Sequence, residues 1–211
     1  MFDRLKKLFS GAPSQAETHS SSRLETPLAT PVNTAFLCRE AVFDRKNRLA
    51  GHLFYLQDSS PLADAPLERQ HELDTMLLAT LNASPAAWNT SLAFIPISSA
   101  SLDLAAVDRL KTENLHLLVQ LSPEADPILL APRINTLRQR GLSVGLFRQP
   151  ANPAFAELFP LPDVFAIDIE SQPPETIRDF SAAMRTRDKT LPLQLFAGRV
   201  NTLDEHRLCH Q

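Results

Sequence analysis

Five short apolar runs, each set between helix-like segments, constrain this chain more than any other feature of it. The pattern is plainest over residues 161–169, LPDVFAIDI. A proline-punctuated turn leads into Val164, Phe165, Ala166 and Ile167, and the run ends on a carboxylate, Asp168. A parallel strand buried on both faces reads as a continuous apolar run of this kind, and in parallel barrels its C-terminal end delivers the polar group. Residues 92–97, 115–121, 142–147 and 193–197 have the same form. Strands alternating with helices at this pitch predict an α/β fold with a parallel sheet, and right-handed crossovers leave a doubly wound sheet or a barrel. Periodicity does not choose between the two.

The intervening segments can be read in the same way. Residues 36–43 and 49–56 flank the polar turn Asp44, Arg45, Lys46, Asn47 and predict a β-hairpin, and residues 61–66 predict a loop. Over 67–81, Leu67, Leu73, Leu77, Leu78 and Leu81 fall near helical spacing, with Gln70 and Glu72 turned outward. Ser101 is placed to cap a helix over 102–110. Over 127–140 the predicted inner face is Ile128, Leu129, Ile134 and Leu137, and Gly141 stands where a left-handed stop would end the helix. Further helices are expected over 154–159, from Pro173 and Pro174 to 187, and over 203–209. Arg185, Arg187 and Lys189 fall late in the second of these, where cations suit the helix dipole.

Ahead of the hairpin the composition changes. Residues 10–34 are rich in Ser, Thr, Ala and Pro, which predicts a flexible linker and divides the chain into residues 1–34 and a folded domain over 35–211. MFDRLKKLF, from Met1 to Phe9, gathers Phe2, Leu5, Leu8 and Phe9 on one helical face with Arg4, Lys6 and Lys7 around it. That face suits a membrane surface or a partner groove, although isolated helices this short are marginal and fray.

Several classes of function are excluded. A net charge of −3 gives no electrostatic case for nucleic acid. No apolar run approaches the ~20 residues of a membrane span, and no signal peptide is visible, so the expected location is cytoplasmic. Cys38 and Cys209 lie far apart without metal-ligand spacing and read as reduced thiols. His19, His52, His71, His116, His206 and His210 predict no zinc-type pairing. The five glycines form no phosphate loop, no G-x-S-x-G elbow occurs, and Trp88, in a predicted Pro/Ala-rich loop, reads as packing.

The stretches FLCREAVFDRKNRLAGHLFYL from Phe36, FIPIS, HLLVQL, RQRGLSVGLF, LPDVFAID and LQLFAGRVNTLDEHRLC, in that order, resemble the EAL family of cyclic-di-GMP phosphodiesterases, in particular the branch in which a divergent EAL region precedes an HDOD domain. The resemblance implies an α/β modified TIM barrel with its site at the C-terminal strand ends. The family's closing strand, spelled roughly F-Q-G-Y, has no counterpart before Gln211, so this barrel is expected to be C-terminally truncated and open. Family members hold two divalent metals with carboxylates and an asparagine, and the metals activate water for attack on a phosphodiester. Carried over position by position, the signature Glu falls at Leu53, the Asn ligand at Pro96 and the next strand's Glu at Gln120. The paired Asp residues fall at Phe147 and Arg148, the Lys at Ala166 and the last Glu at Gly198. Asp168 alone survives, with Arg199 where the following Lys would be.

Hard divalent cations need several oxygen ligands. The resemblance therefore implies no catalytic residue, metal or cofactor. It leaves Asp168 as a remnant of the substrate-binding set or, on the plainer reading, as a strand-end carboxylate paired with Arg148. The implied function is that of a catalytically inactive EAL-like protein acting through a protein partner or a homodimer in cyclic-di-GMP-related bacterial signalling. The alternative is a receptor that binds the dinucleotide without hydrolysing it. The loss of the base- and phosphate-contacting groups speaks against that alternative.

Overall fold

A computed structural model describes residues 37–56, 67–88, 90–111, 113–147, 153–186 and 194–210. The expectations for residues 1–34, the loop at 61–66, Arg148, Arg187 and Lys189 lie outside them. Strands β1 (Leu37–Phe43) and β2 (Leu49–Leu56) form the expected antiparallel hairpin, with Leu37 opposite Leu56. Asp44 organises its turn. One carboxylate oxygen accepts from the backbone N–H of Lys46 and Arg48 at 2.8 and 2.9 Å, and the other accepts from the Arg48 guanidinium at 2.8 and 2.7 Å. These donors hold the Asp44 carboxyl below its usual range. Asn47 completes the turn in the left-handed region at φ 57°, which asparagine tolerates better than most residues.

From β2 onward every pairing is parallel: β3 (Ala93–Ser98), β4 (Leu115–Gln120), β5 (Ser143–Phe147), β6 (Val164–Asp168) and β7 (Gln194–Gly198). The seven strands lie in sequence order. A doubly wound sheet reverses its order at a switch point; sequential order with right-handed crossovers keeps the helices on one face, as in a barrel. The sheet curls strongly. Phe94 on β3 and Phe196 on β7 have ring centroids 5.0 Å apart, although strands four places apart in a flat sheet would lie about 19 Å apart. It does not close: among the described residues β1 and β7 each pair on one side only.

The curled sheet has two apolar faces. On its outer face Ile95, Ile97, Leu117, Val119, Val144 and Phe165 belong to one continuous core with the helices. On its concave face Leu53, Phe94, Leu118, Phe147, Val164 and Ala166 form a second cluster. Gly51 permits the close approach of β2 to β3, since a Cβ there would stand 2.3 Å from the Leu92 carbonyl oxygen, which accepts the His52 N–H at 2.8 Å.

Helix α1 (Leu67–Ala83) buries Leu73, Leu77, Leu78 and Leu81 as expected, but Leu67 in its first turn is exposed. Gln70 does not turn outward; it is half-buried and donates to Asp74 at 2.8 Å. Trp88 ends a short helix α2 (Pro85–Trp88) rather than lying in a loop, and its buried indole N–H donates to the Leu81 carbonyl at 2.8 Å, so packing is its role. Ser101 does not cap a helix over 102–110. Residues Ser99–Ser101 form a 3-10 turn capped by Ser98, and the helix that follows is only α3 (Ala105–Asp108), begun by Leu104. The Ser101 hydroxyl is buried against α1 instead, 3.1 Å from His71 Nδ1.

Helix α4 (Pro127–Gln139) corrects a second expectation. Ile134 and Leu137 are buried, but Ile128 and Leu129 are 70% and 73% exposed. At about 100° per residue, Leu130 shares the face of Ile134 while Ile128 and Leu129 lie roughly 120–140° away from it. Leu130 is indeed partly buried against the core. Gly141 ends the helix at φ 86°, the left-handed stop expected there. A 3-10 segment over Pro153–Leu158 replaces the short helix expected at 154–159. Helix α5 (Pro174–Thr186) and helix α6 (Leu203–Cys209) follow, the latter opened by a reciprocal cap between Thr202 and Glu205. Among the described residues no helix is long and apolar enough to cross a membrane.

Candidate functional site

Strand registers decide which positions can form a common site. Leu53 pairs with Phe94, Pro96 with Leu118, Gln120 with Phe147, Phe147 with Ala166, and Asp168 with Gly198. Because side chains alternate along a strand and registered parallel neighbours share a face, Leu53, Pro96, Gln120, Phe147, Ala166, Asp168 and Gly198 all lie on the concave face. The resemblance therefore maps its site positions onto one surface. What that surface presents is a plug: Leu53, Phe147 and Ala166 are buried, with Phe94 and Phe196 in ring contact above them. Gln120 is the one amide in the set, and it too is buried.

Asp168, 3% exposed at the end of β6, receives the Arg199 guanidinium through two N–H groups, one of them Nε at 2.8 Å from Oδ1 and the other Nη2 on Oδ2. Arg199 also reaches Glu170 at 3.1 Å. The chain leaves β7 through Arg199 at φ 53°, directly beside the strand pair Asp168–Gly198. The hydrogen bond to Asp168 holds the Arg199 guanidinium above its already high ordinary pKa. Among the described residues Arg199 is a partner of Asp168, placed there by register, since it follows Gly198, the residue paired with Asp168 on the neighbouring strand. The pairing expected with Arg148 lies outside the described residues.

The opposite, N-terminal end of the sheet is closed by polar contacts. Arg138 of α4 donates to Asp163 at 2.9 Å, and Asp163 accepts the Val144 N–H at 3.2 Å. His116 Nδ1 lies 2.5 Å from the Ser143 hydroxyl, with its ring stacked on Phe94 at 5.1 Å. Burial pushes the His116 imidazole below its usual pKa, against the pull of Asp163. At this end of a barrel such a network serves stability.

Sequence reading missed Asp74. It is 1% exposed on the inner face of α1, where Oδ2 accepts the Ser98 N–H at 2.8 Å and Oδ1 accepts from Gln70. Burial raises its carboxyl above the ordinary range despite bonds from Ser101, Ser98 and Gln70. Its spacing from Leu77 and Leu78 puts it on the apolar stripe, a signal that was available. Its role is to fasten the C-terminal end of β3 to α1.

An open cavity of about 1090 Å³ separates the free edges of β1 and β7, lined by Val42, Leu53, Phe196, Met184 and Arg199 among others. Helix α6 reaches across one side of it: Arg45 in the hairpin turn donates to the His210 carbonyl at 2.9 Å, and His206 lies 3.3 Å from Asn47 Oδ1.

Two divalent metals of the kind held by members of the resembled family do not fit the residues described on this surface. Hard cations take six or more oxygen donors between protein and water. The mapped positions offer one buried carboxylate, already engaged by Arg199, and one neutral amide, amid Leu53, Pro96, Phe147 and Gly198. Among the described residues no group of three or more His, Cys, Asp or Glu side chains is placed to hold a metal.

No family model matches the sequence, and no curated protein matches it. Solved structures do. The Bacillus subtilis YkuI protein, with an EAL domain, in complex with substrate c-di-GMP and calcium, has 14% identity and a TM-score of 0.62 over 83% of this chain and 50% of its own. Vibrio cholerae LapD, an S helix–GGDEF–EAL structure bound to c-di-GMP, has 13% identity and a TM-score of 0.61 over 83% of this chain and 50% of its own. The Xanthomonas citri FimX EAL domain in complex with c-diGMP has 16% identity and a TM-score of 0.56, with 83% of this chain and 81% of that one covered. The chain spans half the length of the first two. Similarity at these identities is one of backbone path, and it agrees with the strand order, the curl and the antiparallel first strand: the chain has the fold of the EAL domains, an α/β, TIM-barrel-like winding that is open between β1 and β7.

Proposed function

We propose that this is an EAL-fold protein without phosphodiesterase activity, which works in the cytoplasm by binding another protein chain in cyclic-di-GMP-related bacterial signalling. One observation carries the reading. The concave positions where the resemblance expects metal ligands are Leu53, Pro96, Gln120, Phe147 and Gly198; Leu53 and Phe147 pack into the concave apolar cluster, and Gln120 is a buried neutral amide. Metal-assisted hydrolysis needs a cation to lower the pKa of water and to neutralise charge on the phosphoryl oxygens, and neither leucine, proline, phenylalanine nor glycine side chains can hold one. Action through a protein chain is supported by β1 and β7, which among the described residues each pair on one side only, as edges suited to an added strand do.

A non-hydrolysing receptor is the second reading, favoured by the LapD and FimX structures, which contain c-di-GMP. Against it stand the rings of Phe94, Phe147 and Phe196 on the concave face and the ion pair that occupies Asp168. Two measurements on purified protein separate the readings. Incubation with cyclic-di-GMP in Mg²⁺ or Mn²⁺ is expected to give no turnover. Turnover that scales with protein would overturn the proposal, and its persistence in Asp168→Ala would also remove the position-by-position mapping. Titration with labelled cyclic-di-GMP is expected to show no binding in the micromolar range, and micromolar or tighter binding would establish the receptor.

A further inference from the structure

We propose that His206 and His210 of α6, with Asn47 of the hairpin turn, form a binding site for a borderline divalent transition-metal ion of the zinc class. This site does not rest on the function proposed above and lies at the rim of the opening between β1 and β7. The sequence predicts no zinc-type pairing of its histidines, but His206 and His210 are four residues apart, and one helical turn sets their rings on the same side with centroids 4.6 Å apart.

The distances suit a metal site. His206 Nε2 and His210 Nε2 are 3.3 Å apart, and His206 Nε2 is 3.3 Å from Asn47 Oδ1. Hydrogen bonds from nitrogen cluster near 2.9–3.0 Å, so both contacts stand at the long end of the hydrogen-bond range. Two Zn–N bonds of about 2.0–2.1 Å meeting at a tetrahedral angle place their nitrogens about 3.4 Å apart, whereas a right angle would place them near 2.9 Å. Both observed separations match the tetrahedral bite. Facing imidazole nitrogens that both carry lone pairs repel one another, and a cation between them removes that repulsion while also attracting the amide oxygen.

The donor set defines the ion. Two imidazoles select zinc, nickel or copper over calcium or magnesium, which demand oxygen. Three protein donors leave a coordination position for water, so this is an open, exchangeable site rather than a sealed structural one. Cys209 is not part of it, since it packs against the core while the two histidines are exposed. The site's consequence lies in its position. Without metal, α6 is tied to the hairpin through Arg45 and the His210 carbonyl; with metal, a second link joins α6 to Asn47 across the open side of the barrel.

The test uses the full chain, freed of metal with a chelator and titrated with zinc chloride. Zinc is followed by competition with a chromophoric chelator and by thermal melting. The expected result is one zinc equivalent bound at least tenfold more tightly than by the His206→Gln/His210→Gln double variant, with a zinc-dependent rise in melting temperature that this variant lacks. Asn47→Gly keeps the left-handed turn while removing the amide, and is expected to weaken zinc binding several-fold without abolishing it. Equal zinc affinity and equal melting shifts in wild type and the double variant would overturn the site. An unchanged affinity in Asn47→Gly would overturn the link to the hairpin.

Discussion

Asp168 and Asp74 are both carboxylates sealed from water, and the chain holds them in different ways. Asp168 meets the charge of Arg199 in a two-point bond, the arrangement that best repays desolvation of a carboxylate. Asp74 is held by the neutral donors Ser98 N–H, Gln70 and Ser101, with His71 nearby. Burial there outweighs the donors, so the proton is bound more tightly in the folded state than in the unfolded chain, where an aspartate titrates near about 3.9. The sign follows by linkage: the protonated group's contribution to stability is fully present below that unfolded value and is lost as pH rises through the raised folded one. We expect the stability of wild type relative to Asp74→Asn to fall with increasing pH over that window and then level off. Urea unfolding at a series of pH values checks this, and a difference that grows with pH would refute it. In the sequence Asp168 announced itself at the end of an apolar run. Its contact with Arg199 did not, because a contact between residues 168 and 199 depends on strand register.

Helix faces were harder to read than strands. A buried strand is apolar throughout, so 161–169 could be placed without knowing which side chain points where. In α4 four apolar residues in sequence, Ile128 to Ala131, leave the face ambiguous, and the choice rests on which of them shares a stripe with Ile134 and Leu137. The observed stripe is Leu130, Ile134 and Leu137. Leu137→Ala is expected to cost about 2–5 kcal/mol, as for other fully buried leucines. Ile128→Ala and Leu129→Ala should each stay within about 0.5 kcal/mol of wild type, as surface changes do. Denaturant midpoints of the three variants test the assignment. A large loss at Ile128 or Leu129 would mean that this exposed turn is covered in the protein's working assembly. The helix expected over 102–110 failed for a different reason: the buried Ser101 hydroxyl is drawn toward His71 and Asp74 on α1, and Leu104 begins the helix instead.

At the scale of the whole molecule, strand order was legible because alternation, sequence adjacency and crossover handedness all favoured the same winding. The site was legible only through the resemblance, since its mapped positions share a face and carry mostly apolar side chains. The opening between β1 and β7 has a size that bears on what fills it. A strand of five residues occupies about 17 Å by 4.8 Å by 10 Å, or roughly 800 Å³, by ordinary sheet spacings, and the cavity holds about 1090 Å³. One added strand is comparable in volume, and it would run antiparallel to β1 and parallel to β7. Its incentives are the edges of β1 and β7, which among the described residues pair on one side only, and apolar side chains such as Phe43, 61% exposed, and Leu195. The strand can come from a second copy, from a partner protein, or from residues 1–36 of the same chain. We expect the protein to self-associate or to depend on a partner for a sharp melting transition, with residues 1–34 contributing little to the melting temperature. Sedimentation at low micromolar concentration, on the full chain and on one lacking residues 1–34, distinguishes the sources. A dimer in both forms points to a second copy, and a poorly melting monomer in both forms points to a missing partner. A monomer that loses its sharp melt on deletion shows that the chain fills its own gap. A sharply melting monomer unchanged by the deletion would show that the open edges need no strand at all, and would remove the physical ground for a protein partner at this seam.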